Sequence, residues 1–177
     1  LTAIQLLWLN LVTDGAPALA LGSEKGDPDI MQYPPRPPDE PIINRTMLTG
    51  IILQTIAISA ATLSAFAIGR NISLDLGETM AFVTLSVSEL LRAYTARSEN
   101  VTIFKIGVFS NPMMNWAVLA SLVLIITVVY VPFLQPIFNT TAIDPIHWLM
   151  ILPLILLPSI VAELSKVLIA RRKLTAG

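Results

Sequence analysis

The chain has 177 residues, of which 54% are hydrophobic and 13% charged, with a formal net charge of −1 and a mean hydropathy of +0.72. A soluble domain of this length needs more polar surface, so the composition predicts a protein that crosses a membrane several times. No basic run suggests nucleic-acid binding, and the lack of cysteine excludes disulfides and thiolate metal sites.

Five segments are long and apolar enough to cross a bilayer, whose hydrocarbon core needs about 20 residues per helix. The sequence therefore predicts an all-α fold, a polytopic membrane bundle of five transmembrane helices that forms one transmembrane domain over residues 1–177. The third segment is the least apolar, because Glu89 and Arg92 interrupt it. In chain order the predicted spans are about 2–21, 47–69, 79–97, 113–131 and 146–170.

The distribution of basic residues predicts the orientation of the bundle. With five spans, eight Lys and Arg residues fall on one side and only Arg70 on the other. The positive-inside rule places the C-terminus and the loop 22–46 in the cytoplasm. This loop has six prolines between Pro28 and Pro41, which predict an extended, stiff segment. It could be a plain connector, the simpler interpretation, or a contact surface for a further cytoplasmic domain.

The first span contains polar groups where lipid would be expected. Asn10, Thr13 and Asp14 have spacings of three and four residues, so they project from one face of a helix. An amide, a hydroxyl and a carboxylate together offer the oxygen ligands that hard cations prefer. Pro17 has no N–H and leaves the Thr13 carbonyl without its helical partner, so we expect the helix to loosen there. The alternative is that these groups only hydrogen-bond to neighbouring helices.

Glu89 is a second acid inside a predicted span. It lies about 15 Å from the outer end of the third span, near the depth expected for Asp14. An ion pair with Arg92, three residues further on, is an equally good interpretation from spacing alone. Near the inner end of the last span, Glu163 and Lys166 are also three residues apart and predict a simple ion pair within the helix.

Three stretches resemble a known family. The segment "QLLWLNLVTDGAPALALG" resembles the sixth transmembrane helix of P-type ATPases of the calcium-pump class, of the sarcoplasmic-reticulum type. The segment "DPDIMQYPPRPPDEPII" resembles the proline-rich cytoplasmic loop that follows it, and "SELLRAYTARSEN" resembles the eighth helix and its exit. The likeness runs in order along the chain, as helices six to ten of a ten-helix pump. It implies that the chain is the C-terminal membrane domain of such a pump.

The resemblance also implies site residues and a transported ion. Asn10, Thr13, Asp14 and Glu89 match positions that bind the ion in these pumps. Asp14 matches the carboxylate shared between two calcium sites, and Glu89 matches a ligand of the second site. Ca²⁺ is therefore the implied ion, with Mn²⁺ or Na⁺ as alternatives. The family's phosphorylation motif "DKTGT" is absent, so no catalytic residue is expected in this chain, and Mg-ATP would bind only to the rest of the parent protein.

The implied partners are the lipid membrane and the N-terminal part of the same pump, comprising helices one to five and the cytoplasmic domains. The chain begins without Met or a basic segment, which also suggests a piece of something longer. A short outer loop at 70–78 suggests a prokaryotic cell membrane. Two alternatives remain open at this point: a helical membrane scaffold or accessory subunit without a transport role, and a proton-coupled carrier, for which the sequence lacks the expected inverted repeats.

Overall fold

The structure is a computed structural model that describes residues 1–26, 31, 41, 43, 45–98 and 101–175, with the side chains of 45–46 and 168–175 left out. Most of the predicted proline-rich segment in the loop 22–46 lies outside the described residues. Within the described ranges every regular element is a helix, as the all-α prediction requires.

The first span is a single run of helix with an unusual centre. Helix α1 covers Ala3–Leu9, a π-helical turn covers Asn10–Asp14, and α2 covers Gly15–Gly22. Thr2 caps α1 through a reciprocal capping box with Gln5. The Gln5 amide also donates to the Phe138 carbonyl at 2.8 Å, which fixes this end of the span.

Four long helices follow the remaining predicted spans, and two short helices lie between them. They are α3 (Arg45–Arg70), α4 (Leu74–Thr95), α5 (Ile103–Ile106), α6 (Pro112–Tyr130), α7 (Gln135–Phe138) and α8 (Pro145–Thr175). Helix α4 begins five residues before the predicted 79, because Ser73 caps it and Asp75 lies favourably in its first turn. The two short helices, α5 and α7, lie in the connections between the predicted spans.

Four helices of the described residues are long and apolar enough to cross a membrane: Ala3–Gly22, Met47–Arg70, Pro112–Tyr130 and Pro145–Val167. Helix α4 is of similar length but is not among them. It carries Asp75, Glu78, Glu89 and Arg92 and is less apolar than its neighbours.

Helix α4 occupies the centre of the bundle and contacts α3, α8, α6 and the π-helical turn. Its N-terminal half is buried in the main hydrophobic cluster, where Met80 and Phe82 are fully buried together with Ile125 of α6 and Ile151 of α8. A helix enclosed in this way does not need an apolar surface all round. Its charged residues can therefore face polar neighbours instead of lipid.

Candidate intramembrane ion site

The first span widens where the ligand candidates cluster, as predicted. The π-helical turn covers Asn10–Asp14. Such turns are rare in proteins, and those that occur often lie at functional sites. Thr13 is buried at 3% exposure, and its hydroxyl donates to the Leu9 carbonyl at 2.6 Å. Pro17, which cannot donate to a carbonyl four residues earlier, is buried immediately after the turn.

A serine of α6 supports this opened backbone. The Ser121 hydroxyl donates to the Val12 carbonyl at 2.6 Å, and both groups are buried. A buried carbonyl without a partner is costly, so this bond stabilises the widened turn. The sequence interpretation did not identify Ser121; the only signal was a hydroxyl in the otherwise apolar run "AVLASLVLII".

Glu89 of α4 faces the widened turn. Its Oε2 atom lies 3.1 Å from the Thr13 hydroxyl oxygen, within hydrogen-bond distance. Both Glu89 and Arg92 belong to the described residues, and no ion pair within 4 Å joins them. The structure therefore places Glu89 against the Asn10–Asp14 turn, whereas the alternative ion pair with Arg92 is not formed.

A cleft of about 320 Å³ lies between the first span and α4. Its polar lining is Thr13, Asp14, Glu89 and Arg92, with small apolar side chains around them. Asp14 is exposed in the described structure. Asn10 is also exposed but does not line the cleft. Three of the four predicted site residues are thus brought together, and Asn10 lies at the start of the same turn, outside the cleft.

The cleft supplies only part of a coordination shell. Two carboxylates and one hydroxyl give fewer oxygens than the six to eight that calcium takes. Among the described side chains there is no group of three or more His, Cys, Asp or Glu that could hold a metal ion.

The predicted ion pair of the last span is present. Lys166 Nζ lies 2.8 Å from Glu163 Oε1, and it also donates to the Thr95 carbonyl at 2.6 Å. The Glu163 carboxylate accepts from the backbone N–H of Ile103 at 3.0 Å. This pair joins α8 to the end of α4 and does not touch the first span.

These features define a class of protein: a helical membrane bundle with an acidic cleft beside a widened transmembrane helix. The match to a known family is more specific. The chain belongs to the family described as "Cation transporting ATPase, C-terminus", whose model matches residues 1–168.

Individual relatives agree with this family. The chain is 38% identical to a calcium-transporting ATPase of Bacillus subtilis over 98% of its length, and 40% identical to calcium-transporting ATPase 1 of Schizosaccharomyces pombe over 81%. It is 34% identical to human calcium-transporting ATPase type 2C member 1 over 94%. The chain spans only 19%, 16% and 18% of these relatives, respectively.

Proposed function

We propose that this chain is the membrane-embedded C-terminal part of an ATP-driven calcium pump and supplies half of its intramembrane ion site. The observation that carries the proposal is the cleft in which Thr13 and Asp14, on a widened helix, meet Glu89 of α4. Carboxylates within membrane-spanning segments are costly, and they usually mark ion or proton pathways.

Calcium is favoured over other ions by the donor set and by the relatives. All three cleft groups are hard oxygen donors, which suit Ca²⁺ better than softer metals. The relatives named above are calcium-transporting ATPases by name. Mn²⁺ and Na⁺ use similar oxygen ligands, and a competition measurement would rank the three ions.

The missing ligands would come from the rest of the pump. Asn10 and Asp14 are exposed on the open face of the first span, where helices from the N-terminal part would pack. Mg-ATP would bind in the cytoplasmic domains of that part. In this arrangement the present chain holds one wall of the site, and no residue within it carries out ATP hydrolysis.

Release of the ion requires a site with two arrangements of different affinity. The π-helical turn at Asn10–Asp14 is suited to this, since it could relax towards an α-helix and shift Asp14 relative to Glu89. The Thr13 hydroxyl lies near two acceptors, the Leu9 carbonyl and the Glu89 carboxylate, but has one proton. A proton on Glu89 in the ion-free state would let both contacts be hydrogen bonds, so protons would replace the ion there.

We further infer that α4 also crosses the membrane, as the third of five spans, and that the C-terminus is cytoplasmic. The excess of Lys and Arg on that side supports this orientation. A prokaryotic cell membrane is the proposed location, and the short connection between α3 and α4, residues 71–73, is the feature that motivates it.

The test uses Asp14→Asn in the complete pump. The amide keeps the size of the side chain but removes the charge that binds the ion. We expect calcium-dependent phosphorylation by ATP to be lost, while phosphorylation by inorganic phosphate without calcium is retained. The measurement is the amount of phosphoenzyme formed under each condition.

Asp144→Asn is the matched control, because the Asp144 side chain is 78% exposed and lies outside the cleft. It should behave as the unmodified protein does. Normal calcium-dependent phosphorylation of the Asp14→Asn variant would refute the site and favour the passive scaffold.

A further inference from the structure

A second polar cluster joins the same two helices beyond the cleft, on the side proposed to be cytoplasmic. Arg97 follows α4, and its side chain is only 1% exposed. It forms a two-pronged pair with Glu24, which follows α2: Nη2 lies 2.7 Å from Oε1, and Nε lies 2.8 Å from Oε2. A two-pronged pair between a guanidinium and a carboxylate fixes the orientation of both groups and also adds electrostatic energy.

The rest of the Arg97 guanidinium is also satisfied. Nη1 donates to the Gly107 and Val108 carbonyls at 3.0 and 3.2 Å, and Nη2 donates to the Ser110 hydroxyl at 2.6 Å. Gly107 has φ +92°, a conformation that side-chain-bearing residues rarely adopt. The loop between α5 and α6 is therefore shaped around Arg97, and lysine could not replace all of these contacts.

Asn111 connects the cluster to the first span. Its amide nitrogen donates to Glu24 Oε2 at 2.7 Å and to the Ala20 carbonyl, in the last turn of α2, at 3.2 Å. The end of the first span is thus held both by its own carboxylate and by its backbone. The end of α4 is held through Arg97.

The cluster bears directly on the cleft because of where its members stand. Glu24 lies two residues after the end of α2, and Arg97 lies two residues after the end of α4. The helical stretches that lead there from Asp14 and Glu89 are about 12 and 9 Å long at 1.5 Å per residue. Helices are stiff over such short lengths, so the separation of the two helix ends constrains the separation of the two carboxylates.

We propose that Arg97 and Glu24 are positioning residues that set the spacing of the Asp14 and Glu89 carboxylates and thereby the affinity for the transported ion. This inference rests on the proposed function. Neither residue lines the cleft. They act as a brace across the cytoplasmic ends of the helices that carry the ligands.

The test measures calcium-stimulated ATPase activity of the complete pump against free calcium. Glu24→Gln removes the charge at nearly unchanged size and should raise the half-saturating calcium concentration by roughly tenfold, the scale of one charge-assisted hydrogen bond. The maximal rate, normalised to phosphoenzyme formed from inorganic phosphate, should change little. Arg97→Gln should give a similar shift, and the double variant should give no more than the larger single shift, because the two residues act as a pair.

Glu163→Gln is the matched control. The Glu163–Lys166 pair also contacts the C-terminal end of α4, but it does not contact the first span. Glu24→Asp keeps the charge and should restore part of the affinity. Equal shifts of the half-saturating calcium concentration in Glu24→Gln and Glu163→Gln, or no shift in either variant, would overturn the proposed positioning role. A wild-type pump without calcium-dependent activity would instead refute the proposed function.

Discussion

Glu89 shows how a single side chain can have two plausible partners along the sequence and only one in space. Arg92 is three residues away on the same helix, yet the carboxylate contacts Thr13, 76 positions away in the sequence. Arg92 lines the same cleft without an ion pair to Glu89. The cleft thus contains two carboxylates, those of Asp14 and Glu89.

This placement predicts the number of ions bound. If Asp14 is shared between two ions and Glu89 completes the second shell, Glu89→Gln should lower the calcium bound per pump from two towards one and reduce cooperativity. Equilibrium binding of radioactive calcium to the purified pump measures this directly. Unchanged stoichiometry would mean that Glu89 holds only the Thr13 hydroxyl.

Glu24 gives a prediction for pH. The hydrogen bonds from Arg97 are the main reason that the pKa of this carboxyl lies below its ordinary value of 4.5; Asn111 and the Arg97 charge add to the effect, and burial opposes it. A lowered folded-state pKa contributes stability that is fully present above the unfolded-state pKa and is lost as pH falls through the folded-state value.

The difference in unfolding temperature between the wild-type protein and Glu24→Gln should therefore stay constant from about pH 7.5 to about pH 5.5. It should shrink only as the pH falls below 4.5. Thermal unfolding in detergent at several pH values measures this. A difference that already disappears between pH 7 and pH 5.5 would contradict the lowered pKa.

At the residue scale, the sequence indicates candidate residues but not their contacts. It singles out Asn10, Thr13 and Asp14 because polar and charged side chains are unusual in an apolar run. Arg97 was interpreted only as one of the cytoplasmic basic residues. Its pairing with Glu24 spans 73 positions, and nothing in the local pattern encodes such a distance. Ser121 was missed for the same reason.

At the scale of elements, the contact between α3 and α4 depends on two glycines. A Cβ atom at Gly77 would lie 2.8 Å from the Arg70 nitrogen and 3.0 Å from the Phe66 oxygen, both backbone atoms. A Cβ at Gly69 would lie 2.7 Å from the Gly77 Cα. Small residues allow membrane helices to approach this closely, and the short connection between α3 and α4 requires that they do.

Gly77→Ala should therefore destabilise the protein by about 1–3 kcal/mol, the usual cost of overpacking, because backbone atoms cannot move aside cheaply. Gly50→Ala is the control: a Cβ there meets nothing within 4 Å, and alanine favours a helix over glycine. Thermal unfolding of the two variants in the same detergent compares them. Equal stability would show that the helices separate easily.

Helix α4 also shows where hydropathy fails as a guide to an element. Asp75 and Glu78 made residues 70–78 look like a loop, whereas Ser73 and Asp75 are favourable for starting a helix. The four more apolar helices were located to within a few residues, apart from the C-terminal end of α8. The outer faces of these four helices contact lipid, so their high hydropathy locates them well in the sequence. Helix α4 is enclosed by them, so hydropathy does not locate its ends.

At the scale of the whole molecule, the first span packs against α4 and α6 on one side and is open on the other. The hydrophobic cluster joins α4, α6 and α8, while Asn10 and Asp14 remain exposed beside the cleft. An exposed carboxylate facing lipid would be costly. The open side therefore calls for further helices, in agreement with relatives of which this chain spans 16–19%.

The most direct measurement is a cryo-electron microscopy map of the complete pump with calcium, compared with a map after calcium removal. We predict ion density between the first span and α4, about 2.3–2.6 Å from carboxylate oxygens of Asp14 and Glu89, and no such density without calcium. Calcium bound elsewhere, with the cleft filled by side chains of neighbouring helices in both maps, would contradict the account.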